Sequence, residues 1–346
     1  MSTEIDTSPI SWRINDALSG LRRWGTDEVY RLQPTSSEYV MGTDDGCSMR
    51  VVDPTGLASR IHCRVSREIG RWVVEDLGST NGVFVDGMRR ERALLEPGME
   101  VRIGGVTWVA ESQRLAALRS YLCRLIGWHP EALEPVDLAL RAVRMAAARR
   151  AVLVLCGDDL APIAMELHRH VVGPDWPFIL CDPRRRPSAG SPPNLITGRD
   201  ALEAAQGGSL CLWTARLPRD FSLLEDAFRQ PNARAQLIVC ARTSAEARPF
   251  VAAPITIPPL AARNSEIDRI VDGYVAEARA LLGADVLFTD ATRKWVRANS
   301  ATVPDIQTAT LRLLAVQHFG TLTAAAQWLG MSASALHVWI HRRSAW

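Results

Sequence analysis

A multidomain architecture is predicted, with an all-β sandwich first, an α/β domain on a parallel sheet next, and an all-helical end. Three observations predict it. From Val29 to about Ala110, short strand-like runs are split by Gly, Pro, Asp and Asn, which is sandwich spacing. From Ser112, helical periodicity alternates with the apolar runs "AVLVLCG", "WPFILCD", "SLCLW" and "AQLIVCA". Buried runs between helices are the mark of a parallel sheet. From Glu266 onward the pattern is helical alone. The chain has 346 residues, 47% apolar and 23% charged, enough for two or three ordinary cores.

Taken in order, residues 1–25 read as a flexible arm and 26–112 as the sandwich. The strand candidates are "YVMG", "MRVVD", "IHCRVSR", "RWVVEDLG", "GVFVDG" and "VRIGGVTWVA". Residues 113–262 read as the α/β domain, 263–303 as a helical lid-like segment, and 304–346 as a separate helical module. Net charge is +2, so any nucleic-acid surface must be local. No apolar run reaches the roughly 20 residues a membrane span needs. "MSTEIDTSPISW" lacks the apolar core of a secretory signal. A cytoplasmic chain with no membrane partner is expected. Seven cysteines without Cys-x-x-Cys spacing read as free thiols, with no zinc site. Glu166 and His170 have i,i+4 spacing, but no further ligand supports a metal, and none is expected.

The stretch "DLGSTNGVFVDG", Asp76 to Gly87, is the first candidate site. Asn81-Gly82 between apolar runs is a hairpin signal. Ser79, Thr80 and Asn81 add more side-chain donors than a hairpin needs. Upstream, "GLASRIHCRV" places Ser59 and His62 three residues apart. Hydroxyls, amides and a guanidinium on adjoining loops are the chemistry that recognises a phosphate ester. Asp53-Pro54, Ser59-Arg60-x-His62, "DLGSTNGVFVDG" and "LLEPGMEVRIG" together resemble a forkhead-associated (FHA) domain over roughly residues 29–110. The resemblance implies that Ser59 and Thr80 bond the phosphate of a phosphothreonine, and that Asn81 holds the ligand backbone. Arg60 adds charge at the rim. His62 orients the loop from beneath, and Gly82 permits its turn. One position departs from the family. Gly42-Thr43 stands where the family has Gly-Arg, with Arg50, Arg60 or Arg64 as possible substitutes. The alternative is a sandwich kept for phosphate-independent contacts.

Next, "RLIGWHPEALEPVDLALRAVRMAAARRAVLVLCG", "DALEAAQGGSLCLW" and "PITIPPLAARNSEIDRIV" resemble the AAA+ domain of bacterial enhancer-binding activators, over about residues 123–300. The catalytic positions do not carry over. "DDLAPIAMELHRH" follows the first strand without the Gly-Lys-Thr of a phosphate-binding loop. Trp213-Thr214 replaces the family's Asp-Glu pair, and its sigma-factor-contacting loop has no counterpart. The resemblance therefore implies a degenerate, non-hydrolysing domain with no cofactor. Arg184, Arg185 and Arg186 read as a solvated charged face.

Finally, "TATLRLLAVQHFGTLTAAAQWLGMSASALHVWIHRRSAW" carries helix-turn-helix spacing. Leu311, Leu314, Ala315 and His318 mark one helix, and Ser332 is an N-cap candidate. Ala325, Leu329, Leu336 and Ile340 are the expected small core. "AA-x-x-LG" followed by an "S-x-x-x-L" helix resembles the Fis-type helix-turn-helix that ends those activators. No acidic residue follows Asp305. DNA contact is expected from Thr323, Ser332, Ser334, His337, Val338, His341, Arg342 and Arg343, the two arginines meeting phosphates.

The expectation as a whole is a phosphothreonine-responsive transcriptional regulator without enzyme activity. Its partners would be a phosphothreonine protein or Ser/Thr kinase, an operator with two half-sites, and a second copy of itself. The rivals are a phospho-dependent scaffold that binds no DNA, and an ATP-dependent sigma-factor activator.

Overall fold

The computed structural model describes residues 16–188, 192–230, 234–250 and 253–343. Two sheets, antiparallel except for one parallel pair at the edge of the second, form the N-terminal sandwich. The first sheet contains β1 (Leu18–Arg23), β2 (Val29–Arg31), β7 (Val83–Val85), β8 (Met88–Arg90), β10 (Glu100–Ile103) and β11 (Val106–Ser112), in the order β2-β1-β11-β10-β7-β8. The second contains β3 (Glu38–Gly42), β4 (Met49–Arg50), β5 (Cys63–Glu68), β6 (Arg71–Asp76) and β9 (Arg92–Leu94), in the order β4-β3-β5-β6-β9. Leu21, Met41, Cys63, Val65, Val101, Ile103 and Trp108 interdigitate between the sheets.

Two sequence expectations change here. The arm expected over residues 1–25 is a strand from Leu18 to Arg23, paired with both β2 and β11. Its three consecutive buried residues, Gly20, Leu21 and Arg22, show no strand alternation, and the run is too short and too charged to read as a core strand. Residues 1–15 lie outside the described residues. In addition, Asn81-Gly82 does not close a hairpin, because β6 and β7 lie in different sheets and their connection crosses between them. The tight hairpin turn is Asp86-Gly87, with φ of 48° and 80°, which joins β7 to β8. Positive φ at both central residues matches the twist of the flanking strands.

β11 links the sandwich to the second domain: Trp108 and Ala110 belong to the sandwich core, while Val109 belongs to a separate buried cluster with residues of the next two helices. Helices α1 (Gln113–Ile126) and α2 (Pro130–Arg149) lead to a parallel sheet. Its strands are β12 (Leu153–Cys156), β13 (Phe178–Cys181), β14 (Asn194–Leu195), β15 (Ser209–Trp213), β16 (Gln236–Ala241) and β17 (Ile255–Thr256), in the order β14-β13-β15-β16-β12-β17. α1, α2 and α3 (Leu160–Val171) cover one face. α4 (Gly198–Ala204), α5 (Phe221–Arg229) and α6 (Ser244–Ala247) cover the other. The helices after neighbouring β12 and β16 therefore go to opposite faces. That is a topological switch point, where open α/β sheets place ligands at their carboxyl edge.

The rest is helical, with α7 (Ile267–Leu282), α8 (Asp290–Ala298), α9 (Val303–Phe319), α10 (Leu322–Trp328) and α11 (Ala333–Arg343). Among the described residues, no helix is long and apolar enough to cross a membrane.

Candidate functional site

The sandwich loops bring the predicted residues together. His62, immediately before β5, is fully buried and bridges two loops. Its Nδ1 accepts from the Ser59 amide at 2.9 Å, and its Nε2 donates to the Gly82 carbonyl at 3.2 Å. An amide can only donate and a carbonyl can only accept, so the two partners fix the Nε2–H tautomer. Above the ring, Ser59 Oγ accepts from the Thr80 amide at 3.1 Å. Asn81 Nδ2 donates to the Leu57 carbonyl at 2.7 Å. Gly82 has φ +79°, and its amide donates to Ser79 Oγ at 3.0 Å. Thr80 and Asn81 are exposed and Ser59 is half-buried. The result is a pinned, outward-facing set of hydroxyls and amides.

Gly42 explains how the third loop closes. A Cβ there would lie 2.0 Å from the Arg60 carbonyl, so only glycine lets β3 pass so near. Thr43 and Asp44 donate their amides to the Ser59 and Arg60 carbonyls, both at 3.1 Å. Thr43 thus stands beside the set without a charge. Of the three substitutes, Arg50 is paired with Asp45 at 2.9 Å and Arg64 with Glu75 at 2.7 Å. Arg60 is exposed and makes no ion pair among the described residues. Sequence reasoning missed Arg89. Its guanidinium lies over Gly82, with Nε 2.4 Å from where a Cβ would stand. The cross-strand pairing Phe84↔Arg89 puts it there.

Asp53 braces the loop from below. It accepts from the Thr55 amide and hydroxyl at 2.9 and 2.7 Å, and from the Leu57 and Ala58 amides at 3.0 and 2.8 Å. Desolvation opposes ionisation, but hydrogen bonds from Thr55, Gly105 and Ala58 outweigh it and hold the carboxyl well below its usual range. A depressed folded pKa stabilises above the unfolded value of about 3.9, and this contribution is lost as pH falls through the folded pKa. The expected result is that the Asp53 carboxyl carbon shows no NMR titration down to about pH 3. A midpoint near 4 would contradict the brace.

At the other end, the expected core forms. Ala315, Ala325, Ala326 and Leu336 are buried, with Leu329 and Ile340 packed against them. Thr321 caps α10 and Ser332 caps α11, whose Ala335 amide it binds at 3.1 Å. Ser334, His337, Val338, His341 and Arg342 are exposed on α11, and Thr323 is exposed on α10. The His337 and His341 rings lie 4.1 Å apart on one face. The side chain of Arg343 lies outside the described residues.

The switch point is nearly filled. The cavity beside it, lined by Asp158, Ile163, Ile257, Thr302 and Pro304, holds about 20 Å³. Thr302, at the start of α9, donates to Asp159 at 3.3 Å. Desolvation and the neighbouring Asp305 and Asp158 charges raise the Asp159 pKa. Glu166 and His170 lie 3.8 Å apart as a partly exposed pair.

Comparison with known proteins assigns a family to one part of the chain. Residues 39–104 match the model of the FHA domain. The FHA domain-containing protein FhaB of Mycobacterium tuberculosis is 36% identical over 75 residues, which is 21% of this chain and 47% of that protein. The chain thus spans about half the length of the curated relatives it matches. A solved FHA domain studied for phosphothreonine-dependent interactions is 22% identical, with a TM-score of 0.25 over 27% of this chain and 94% of its own. Mycobacterium tuberculosis EmbR in complex with a low-affinity phosphopeptide is 24% identical, with a TM-score of 0.26 over 28% of this chain and 24% of its own. The chain therefore carries an N-terminal FHA sandwich, followed by an α/β region on a parallel sheet and a helical C-terminal region.

Proposed function

We propose that the chain is a phosphothreonine-responsive transcriptional regulator that binds DNA through α10 and α11 and has no ATPase activity. The observation that carries this reading is a continuous core. Val109 of β11, Leu115 of α1, Val143 of α2, and Ile306 and Leu314 of α9 belong to one buried cluster. That cluster lies between the sandwich core beneath the FHA loops and the small α10–α11 core, with Trp339 packed against both it and the latter, so shifts at either end would reach it as discrete rearrangements.

Phosphothreonine recognition would use Ser59, Thr80 and Asn81 on a His62-pinned frame, with Arg60 and Arg89 as cations that make no ion pair among the described residues. The partner would be a phosphothreonine protein or Ser/Thr kinase. DNA recognition is supported by the capped, exposed α11 and by a C-terminal segment free of carboxylates after Asp305. One such module is small, so a homodimer on two half-sites is expected. The absence of hydrolysis is supported by the switch point, where three aspartates and a cavity of about 20 Å³ replace a phosphate cradle. The middle domain would be a degenerate AAA+-like relay.

The test is fluorescence anisotropy of the full chain on duplexes enriched by genomic selection, with and without saturating phosphothreonine peptide. Sequence-selective binding that shifts at least about threefold with the peptide is the expected result, a coupling of somewhat under 1 kcal/mol. Selective binding that the peptide leaves unchanged removes the coupling. Absence of any DNA enrichment, with peptide binding intact, favours the scaffold reading, which exposed Trp328 (41%) and Val338 (44%) would suit.

A further inference from the structure

The run Arg184-Arg185-Arg186 reads in sequence as an ordinary solvated face. In the fold it is one part of a larger arrangement. Strand ends of a parallel sheet share one edge, so the residues after β13, β14, β15 and β16 meet there although they are far apart in sequence. Arg184, Arg185 and Arg186 follow β13, and Arg199 follows β14. Arg216 and Arg219 follow β15, and Arg242 follows β16. All seven are exposed.

The carboxylates on this edge are committed to the scaffold. Asp182 is fully buried, pairs with Arg216 at 2.8 Å and accepts the Arg184 amide at 3.0 Å. Asp220 accepts the Gly198 and Arg199 amides at 2.7 and 3.0 Å. Glu246 accepts the Thr214 hydroxyl and the Arg242 amide at 2.9 and 3.1 Å. Asp200 bonds Thr197 at 2.6 Å in the cap of α4. At the ends of these four strands seven guanidiniums thus meet four carboxylates, with Asp158 and Asp159 following the neighbouring β12, and six of the seven, all but Arg216, make no ion pair among the described residues.

The arginine loop is also held in place. The amide of Asn194, itself buried, donates to the Asp182 carbonyl at 3.2 Å, the Arg186 carbonyl at 3.3 Å and the Arg185 carbonyl at 3.5 Å. A polar side chain invested beneath the loop fixes its backbone while the guanidiniums point outward.

We propose that the carboxyl edge of β13, β14, β15 and β16 is a second, sequence-independent contact surface for the sugar-phosphate backbone of duplex DNA. Four neighbouring strands span roughly 14 Å. With the reach of the side chains, that matches about half a turn of a duplex, which carries one phosphate charge per ~1.7 Å of axis. Guanidiniums stay charged and grip phosphate oxygens in pairs. The exposed, loop-borne placement suits an extended polyanion rather than a small enclosed anion. This inference rests on the DNA-binding reading above and adds an anchor to it, supplying affinity where α11 supplies selectivity.

The test uses the full chain on a labelled random-sequence duplex and on a selected duplex, titrated between about 50 and 200 mM salt. The edge variant is Arg184→Ala/Arg185→Ala/Arg186→Ala, with a Lys triple as the charge-retaining control. The helix variant is His337→Ala/Arg342→Ala. Each lost phosphate contact flattens the log–log salt slope by about 0.9. The edge variant is expected to weaken both duplexes at least tenfold and to flatten the slope by about 2, with the preference between duplexes kept. Lysine should restore most of the slope. The helix variant should lose the preference and keep the edge-dependent slope. A wild-type slope in the alanine triple overturns this inference and leaves the helix reading standing. Failure of the wild-type chain to bind either duplex overturns both. An alanine triple that loses binding to anionic phospholipid vesicles but not to DNA assigns the edge to a membrane surface and also overturns it.

Discussion

Asp137→Ala will destabilise the protein by about 3–5 kcal/mol, the cost of removing one partner from a buried ion pair. Asp137 lies on α2 and is fully buried. Its carboxylate accepts both terminal nitrogens of Arg22 at 2.7 and 2.9 Å, Arg119 Nε at 3.2 Å and the Gly25 amide at 2.7 Å. Arg22 belongs to the sandwich and Arg119 to α1, so one carboxylate ties the two domains together. Without it, two desolvated guanidiniums lose a shared counter-ion. Glu111 at 3.0 Å and Asp27 at 2.7 Å remain as their other acidic partners among the described residues. Urea unfolding followed by tryptophan fluorescence, with hydrogen exchange at β1 and α1, measures the loss. A loss under about 1 kcal/mol for the single change would show that water satisfies both arginines.

His62→Ala is the second large effect. The change opens a void under the loops and orphans the Ser59 amide and the Gly82 carbonyl. Cavity and unpaired groups together cost about 3 kcal/mol. Phosphopeptide affinity should fall at least tenfold at temperatures where the sandwich stays folded, because Ser59 and Thr80 lose their common support. Isothermal titration of the full chain, with circular dichroism as the folding control, reads both quantities. Unchanged affinity in the folded variant would assign His62 to stability alone. A Thr43→Arg change provides the opposite sign. A restored guanidinium adds a charge-assisted bond of about 1.5–3 kcal/mol, and a tighter phosphopeptide complex is expected.

The residues that carry local chemistry were legible in the sequence. Ser59, His62, Thr80, Asn81 and Gly82 are close in sequence to the turns that place them. The side chains of Ser59, His62 and Asn81 bond backbone groups no more than about two dozen residues away, as with Asn81 and Leu57. The α10–α11 core was legible for the same reason, since helical spacing puts Ala325 and Leu336 on facing surfaces. The β1 strand was not legible. Six residues ending in two arginines read as an arm, and only pairing with β11, some ninety positions later, makes Arg22 a buried residue.

By itself, the sequence determined that a sandwich precedes a parallel sheet and helices, and which short-range motifs line the adjoining sandwich loops. Periodicity and turn chemistry are local, so they survive without a partner. Only the tertiary structure decided that β6 and β7 part into different sheets, that Asp137 locks the domains, and that arginines from four loops share one edge. Each depends on strand order and buried charge, which are fixed when distant segments pack and exclude water.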